Sequence, residues 1–183
     1  MNNTTKDLLT KCIWTSLIIF GICSLFCKYK TIYDFIGIVG EVITLTLFIM
    51  GFYCTVLWKY NPLEKTPRLM GTYNGIIEYN FNNIKDKKDV SVIIKQTLLS
   101  IKVQIITNEI MSNSITGNIV EENDEYVLYY SYRTNPKSKY SKDNPVQYGT
   151  CRIPINDREH LNGTYWTSRQ TIGDIELFKM DVE

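Results

Sequence analysis

The chain has 183 residues and a formal net charge of +1. That length leaves room for one soluble domain once an apolar N-terminal block is set aside. The near-neutral balance excludes a broad electrostatic grip on duplex nucleic acid. Residues 1–60 hold only eight of the 39 charged side chains, and the other 31 lie in residues 61–183, at 15 basic against 16 acidic.

The first apolar segment predicts a helix over about residues 12–27, free of charge between Lys11 and Lys28. It is slightly short for a hydrocarbon core of roughly 30 Å, but Lys11 and Lys28 can snorkel and Leu8–Leu9 extend it. A cleaved signal peptide fits less well, because the Gly21–Cys27 end is too bulky for a small-x-small cleavage site. The second segment predicts a helix over 35–58, broken only by Glu41 and ending in the interfacial pair Trp58 and Tyr60, with Tyr29 and Tyr33 at the other interface. The linker from Lys28 to Asp34 is short, so the two spans are expected to be antiparallel neighbours.

Orientation follows from lysine and arginine. Lys6, Lys11, Lys59, Lys65 and Arg68 share one side against Lys28 and Lys30 on the other, which places the termini and the soluble domain in the cytoplasm of a bacterial inner-membrane protein. Glu41 is the costly residue. A carboxylate in hydrocarbon must be protonated, paired or wetted. Beside the Gly37–Gly40 face it is a candidate for membrane oligomerisation; two turns from the Tyr33/Asp34 interface it is equally a plain interfacial residue.

Pro62 and Pro67 mark a linker over 61–70. Beyond it, alternation replaces long apolar runs, and eight strands are expected: 71–81, 90–96, 101–106, 115–121, 125–134, 147–153, 161–169 and 172–180. Asn82 to Lys88 reads as a charged turn and Asn135 to Asn144 as a polar loop. Leu98 to Ile110 has a helical reading too, but the alternation of Ile101, Val103 and Ile105 argues for a strand. The fold class is thus two N-terminal transmembrane α-helices plus an all-β domain over 71–183. An antiparallel, about eight-stranded up-and-down barrel is the expected form, with a sandwich as the other option. Gly71-Thr-Tyr and Gly163-Thr-Tyr each open a strand, where glycine permits a sharp bend at a barrel rim.

No catalytic constellation is present: no Gly-x-Ser-x-Gly, no phosphate-binding Walker loop and no useful histidine–cysteine pairing. His160 is the single histidine. Cys12, Cys23, Cys27 and Cys54 lie in the apolar block, leaving Cys151 alone in the domain, so neither a metal site nor an internal disulfide is expected there. Glu121, Glu122, Asp124 and Glu125 read as a solvated turn. These features favour a binding module over an enzyme, with no cofactor.

Polar side chains within strands indicate what is bound. By the period of two, Tyr129 and Arg133 share one face and Tyr130 and Tyr132 the other. Tyr148, Thr150 and Arg152 share a face, as do Tyr165, Thr167 and Arg169, with Trp166 opposite. Arginine beside aromatic rings suits an anionic, planar ligand: guanidinium forks phosphate and rings stack bases. The same residues on an outward face are ordinary surface. Two other readings remain open: a membrane-tethered, lipocalin-like binder of a lipid or small apolar ligand, lined by Ile, Val and Phe, and an assembly protein with a packed interior.

The run Leu161 to Leu177 (LNGTYWTSRQTIGDIEL) and the Gly71-Thr-Tyr-x-Gly strand after a helical hairpin resemble a known family. It is the CD-NTase-associated effector family of CBASS antiphage operons, with two transmembrane helices and a β-barrel. The resemblance spans essentially the whole chain, and it implies a mechanism. A cognate nucleotidyltransferase makes a cyclic oligonucleotide, of which a cyclic dinucleotide is the leading form. The barrel binds it, the protein becomes a homo-oligomer through its helices, and the lipid bilayer is compromised, causing abortive infection. Tyr73, Trp166 and Arg169 fall within the shared motifs as candidate messenger contacts. Arg133 and Arg152 are added on strand-face reasoning alone.

Overall fold

The computed structural model describes residues 3–26, 31–81, 84–142 and 144–180. The chain forms two compact units, divided between Glu64 and Lys65.

The first unit is helical. α1 spans Asn3–Phe26 and α2 spans Ile32–Thr55. α2 starts at a capping box: the Asp34 N–H donates to Thr31 Oγ1 (3.3 Å) and the Thr31 N–H to Asp34 Oδ2 (2.9 Å), which satisfies two otherwise orphaned donors. Ile19, Ile38 and Val42 are buried between the helices with Phe20 and Cys23 packed against them, and the Phe20 and Phe35 rings meet edge to face at 6.2 Å. Most other apolar side chains, among them Trp14, Leu17, Ile18, Leu47 and Phe48, are exposed. Thr5–Phe26 and Ile32–Thr55 are long and apolar enough to cross a membrane, and an outward apolar surface is what lipid contact requires. The spans begin earlier than the sequence indicates, and α2 ends at Thr55 before a short 3-10 helix at Leu57–Tyr60. Lys11 reaches Glu64 Oε2 at 3.1 Å while Tyr53 donates to the same oxygen at 3.2 Å, tying α1, α2 and the segment after α2 together. Cys27, Lys28, Tyr29 and Lys30, on which part of the orientation argument rests, lie outside the described residues.

The second unit is a closed antiparallel barrel of β1 (Gly71–Phe81), β2 (Ile84–Gln96), β3 (Ile101–Ile106), β4 (Ile110–Glu122), β5 (Glu125–Pro136), β6 (Tyr148–Pro154), β7 (His160–Thr167) and β8 (Ile172–Lys179), each paired with the next. β8 returns to pair with β1, with Ile77 opposite Ile175, so no edge strand remains. The expected two helices and eight-stranded up-and-down barrel are both present. Leu98–Ile110 forms no helix: β3 occupies Ile101–Ile106, with Ile101 and Val103 buried and Lys102 exposed.

Two strands differ from the sequence reading. Ile84 to Asp89 is strand, paired with β1 from Ile76 to Phe81. Its charges alternate with the pleat, so Lys85 and Lys87 point outward while Lys88 continues the inward row of Val90, Val92 and Ile94. Asn82 and Asn83, the rest of the expected turn, lie outside the described residues. β4 begins at Ile110 rather than Ile115, and a bulge between Ser114 and Thr116 interrupts the alternation by which its first half would be read. There Ser114 Oγ accepts from the Val103 N–H at 2.9 Å in place of a ladder bond.

Among the described residues, the interior is filled at one end only. Where β1 begins, Leu69, Tyr73, Val92, Ile94, Leu161 and Leu177 are almost fully buried, forming a packed plug. The other end is ringed by the end of β1, the start of β2, the β3–β4 turn, the end of β5 and the β7–β8 turn. It is not filled.

Candidate functional site

The unfilled end holds a cavity of about 410 Å³, within the size range of small-ligand pockets. Its floor is Tyr130, Cys151 and Ile175, and its walls carry Tyr132, Tyr165 and Tyr79. The segment between β5 and β6 contributes Tyr140, Asn144 and Gln147, and the β7–β8 turn contributes Arg169.

Glycine makes room for the aromatic walls. Gly149 lies opposite Tyr132, and a Cβ there would stand 2.4 Å from the tyrosine Cζ. Gly173 lies opposite Tyr165, and a Cβ there would meet the ring at 2.7 Å. Both rings are thereby laid across glycine backbone and held in one orientation. Tyr130 and Tyr132 pack with centroids 5.9 Å apart. Burial pushes the pKa of all three phenols up, those of Tyr130, Tyr132 and Tyr165 alike, and pushes the Cys151 thiol up to about 12. The floor is thus neutral at physiological pH, offering ring faces and hydroxyls rather than charge.

Charge enters from the walls. Lys88 Nζ lies 2.7 Å from Glu109 Oε2, both side chains being partly buried, and 5.5 Å from the Tyr79 ring centroid. Burial alone would lower the lysine pKa; hydrogen bonding to Glu109 and the neighbouring Tyr79 outweigh it and leave the pKa raised. Arg169 stands at the rim, its N–H donating to Thr167 Oγ1 at 3.3 Å in the turn where Gln170 adopts a φ of +61°. On the neighbouring strands, Thr134 and Gln147 exchange hydrogen bonds of 2.7 and 2.8 Å, and Gln147 Nε2 donates to Asn144 Oδ1 at 2.8 Å. The rim therefore combines cations with amide and hydroxyl groups, around a floor of rings. Such a set can hold an anion at its edge and a flat polar ring inside. An apolar ligand would call for walls mainly of Ile, Val and Phe, whereas here Ile77, Ile105 and Ile175 alternate with tyrosine, threonine and an ion pair.

The candidate residues from the sequence are not gathered in one place. Arg169 lines the cavity. Arg133 is exposed on the outer face of β5 and Trp166, 45% exposed, on that of β7. Arg152 is also on the outer wall, donating to the Tyr129 hydroxyl at 2.9 Å and pairing with Glu122 at 3.3 Å. Tyr73 lies in the packed plug, with its hydroxyl donating towards the Leu69 and Arg158 carbonyls at 3.1 and 3.0 Å. Glu41 is exposed on α2, beside the buried Val42. Lys88, Glu109 and Gln147 were not singled out in the sequence, although Lys88 keeps step with Val90 and Val92, the signal that places it inward.

Comparisons with known proteins show the family. Residues 64–179 match the family model described as Cap15, cyclic dinucleotide receptor domain. A relative from Staphylococcus schleiferi, CD-NTase-associated protein 15, is 34% identical over 183 residues, covering 98% of this chain and 100% of that protein. Among solved structures, a redesigned β-barrel is similar with a TM-score of 0.45 and 9% identity, over 62% of this chain and 92% of that one.

Proposed function

The chain belongs to the family of the Cap15 cyclic dinucleotide receptor domain, and from that premise we propose that it is a membrane effector of CBASS antiphage defence, gated by a cyclic dinucleotide bound in the open end of its barrel. The single observation that carries the reading is the cavity. Two cations, Lys88 and Arg169, stand with the tyrosine rings of Tyr130, Tyr132 and Tyr165 around a pocket of about 410 Å³, and a cyclic dinucleotide has two phosphates and two flat bases. Arg169 and the free donors of Lys88 take the phosphates. Tyr132 and Tyr165, held flat by Gly149 and Gly173, take base faces.

The helices deliver the output. On ligand binding the protein oligomerises through the outward faces of α1 and α2, with the exposed Glu41 drawn out of lipid against neighbouring copies. The inner membrane, with the barrels on its cytoplasmic side, then loses its barrier and the infected cell dies before phage release. Residues 1–60 serve as the membrane hairpin, 61–70 as the linker and 71–183 as the sensor.

The test is dye release. The full chain is reconstituted in phosphatidylethanolamine–phosphatidylglycerol vesicles loaded with a quenched dye and exposed to cyclic dinucleotides one at a time, with chemical cross-linking in parallel. Release and higher cross-linked species with at least one of them are expected. Release that is independent of every nucleotide, or binding with neither release nor cross-linking, would contradict the effector role.

A further inference from the structure

A cavity that receives a dianion should not need an acid, yet Glu109 is built into its wall. The residue is well anchored. It lies in the β3–β4 turn, where its N–H donates to Thr107 Oγ1 at 3.2 Å and its carbonyl accepts from the Lys137 N–H at 3.0 Å. Lys137 Nζ also holds the adjacent Asn108 carbonyl at 2.7 Å. Lys88 fixes one carboxylate oxygen, Oε2, at 2.7 Å, and no hydrogen bond from the described residues reaches Oε1. A carboxylate offers about four lone-pair positions, and Glu109 lines the cavity, so it has accepting capacity to offer a ligand there.

We propose that Glu109 reads the base, and that it selects a messenger containing guanine. The inference rests on the cavity being the cyclic dinucleotide site. A carboxylate only accepts. It is repelled by phosphate and by base carbonyls and ring acceptors, so its presence is offset only by a ligand edge with donors side by side. Guanine has that edge: N1–H and the N2 amine point the same way and match the two carboxylate oxygens. Adenine and cytosine each set one amine beside a ring acceptor, and uracil sets its single N–H between two carbonyls. Lys88 holds Glu109 in place and shares the phosphates with Arg169. The turn is thus a specificity element, and the ion pair its support.

The experiment titrates the full-length protein in detergent with cyclic di-GMP, cyclic GMP–AMP, cyclic di-AMP, cyclic UMP–AMP and cyclic di-IMP, by calorimetry. A guanine-containing ring is expected to bind roughly 10-fold or more tightly than cyclic di-AMP or cyclic UMP–AMP. Cyclic di-IMP, which lacks only the N2 amine, is expected to bind roughly 5-fold or more weakly than cyclic di-GMP. Glu109→Gln should bring guanine and adenine rings to within about twofold of each other, since an amide presents one acceptor and one donor. Equal affinity of the wild type for guanine and adenine rings, or equal affinity for cyclic di-GMP and cyclic di-IMP, overturns the assignment while leaving the receptor reading intact. So does a preference that survives in Glu109→Gln. If that variant does not fold, the inosine comparison on the wild type decides alone. Binding of no member of the panel overturns the receptor reading, and this inference with it.

Discussion

Tyr132 and Gly149 face each other across β5 and β6, and the ring lies so close over the glycine that a Cβ there would stand 2.4 Å from the tyrosine Cζ. The Tyr132 ring lines the cavity. Gly149→Ala is expected to push the ring towards the cavity axis, at an overpacking cost of about 1–3 kcal/mol. Messenger affinity should fall by roughly 10-fold or more, because the stacking face moves. Thermal melting and calorimetry on the same preparation check both. A variant that binds like the wild type would remove Tyr132 from the site.

The arginines separate by face. Arg169 lines the cavity and Arg133 points outward from β5. Arg169→Ala should weaken cyclic dinucleotide binding by roughly 10- to 100-fold, the worth of a charge-assisted hydrogen bond to phosphate. It should also flatten the dependence of affinity on salt. Arg133→Ala should stay within about twofold of the wild type, as expected for an exposed charge. Titrations of the wild type and both variants at low and high ionic strength check all three expectations, and the reverse ranking would move the site to the outer wall.

The barrel interior should be sensitive to alkali. Burial pushes Cys151 up from 9.0 to about 12 and Tyr73 up from 10.0 to about 12. The folded state therefore keeps protons that the unfolded state releases above pH 9. Stability should be flat with respect to these groups below pH 9 and fall as the pH rises towards 12. At pH 10.5 Cys151 alone accounts for about 2 kcal/mol. Cys151→Ala should remove that part of the decline in melting temperature; an unchanged slope would show that burial of the thiol is not its source.

Tyr73 anchors the plug. With its hydroxyl directed at two carbonyls in a packed interior, Tyr73→Phe should cost about 1–3 kcal/mol, the penalty for leaving buried acceptors unpaired. Because the plug is at the far end of the barrel from the cavity, messenger affinity should stay within about twofold once the protein is folded. A selective loss of binding without loss of stability would make Tyr73 a ligand contact.

In the membrane unit, Glu41→Leu should leave insertion intact, since it removes the one costly group of α2. Ligand-dependent cross-linking and dye release should decline. Unchanged self-association and release would take Glu41 out of the mechanism.

Much of the architecture was legible because it depends on periodicity. Two apolar runs of helical length and eight alternating segments leave few alternatives. The face of each strand was harder to read. Period two pairs Tyr165 with Arg169 and separates Tyr129 from Tyr130, but it does not say which set turns inward. That is decided by closure of the barrel, which turns the row of Gly149, Cys151 and Ile153 inside and leaves Arg152 out. Lys88 and Glu109 were hidden for a different reason. Lys88 sits in a run of charges, Lys85 to Asp89, that resembles a turn, and only pairing with β1 shows it to be strand. Its partner lies 21 residues away in a turn with no motif of its own.

The central claim is that the cavity at the open end of the barrel holds the messenger. The most direct measurement is a calorimetric titration of the full-length chain in detergent with a panel of cyclic dinucleotides, wild type beside the Lys88→Ala/Arg169→Ala double variant, after melting curves confirm that both are folded. The wild type should bind at least one member at one site per chain, and the double variant should bind it roughly 100-fold more weakly. A wild type that binds none of them, or a folded double variant that binds as tightly as the wild type, would contradict the account.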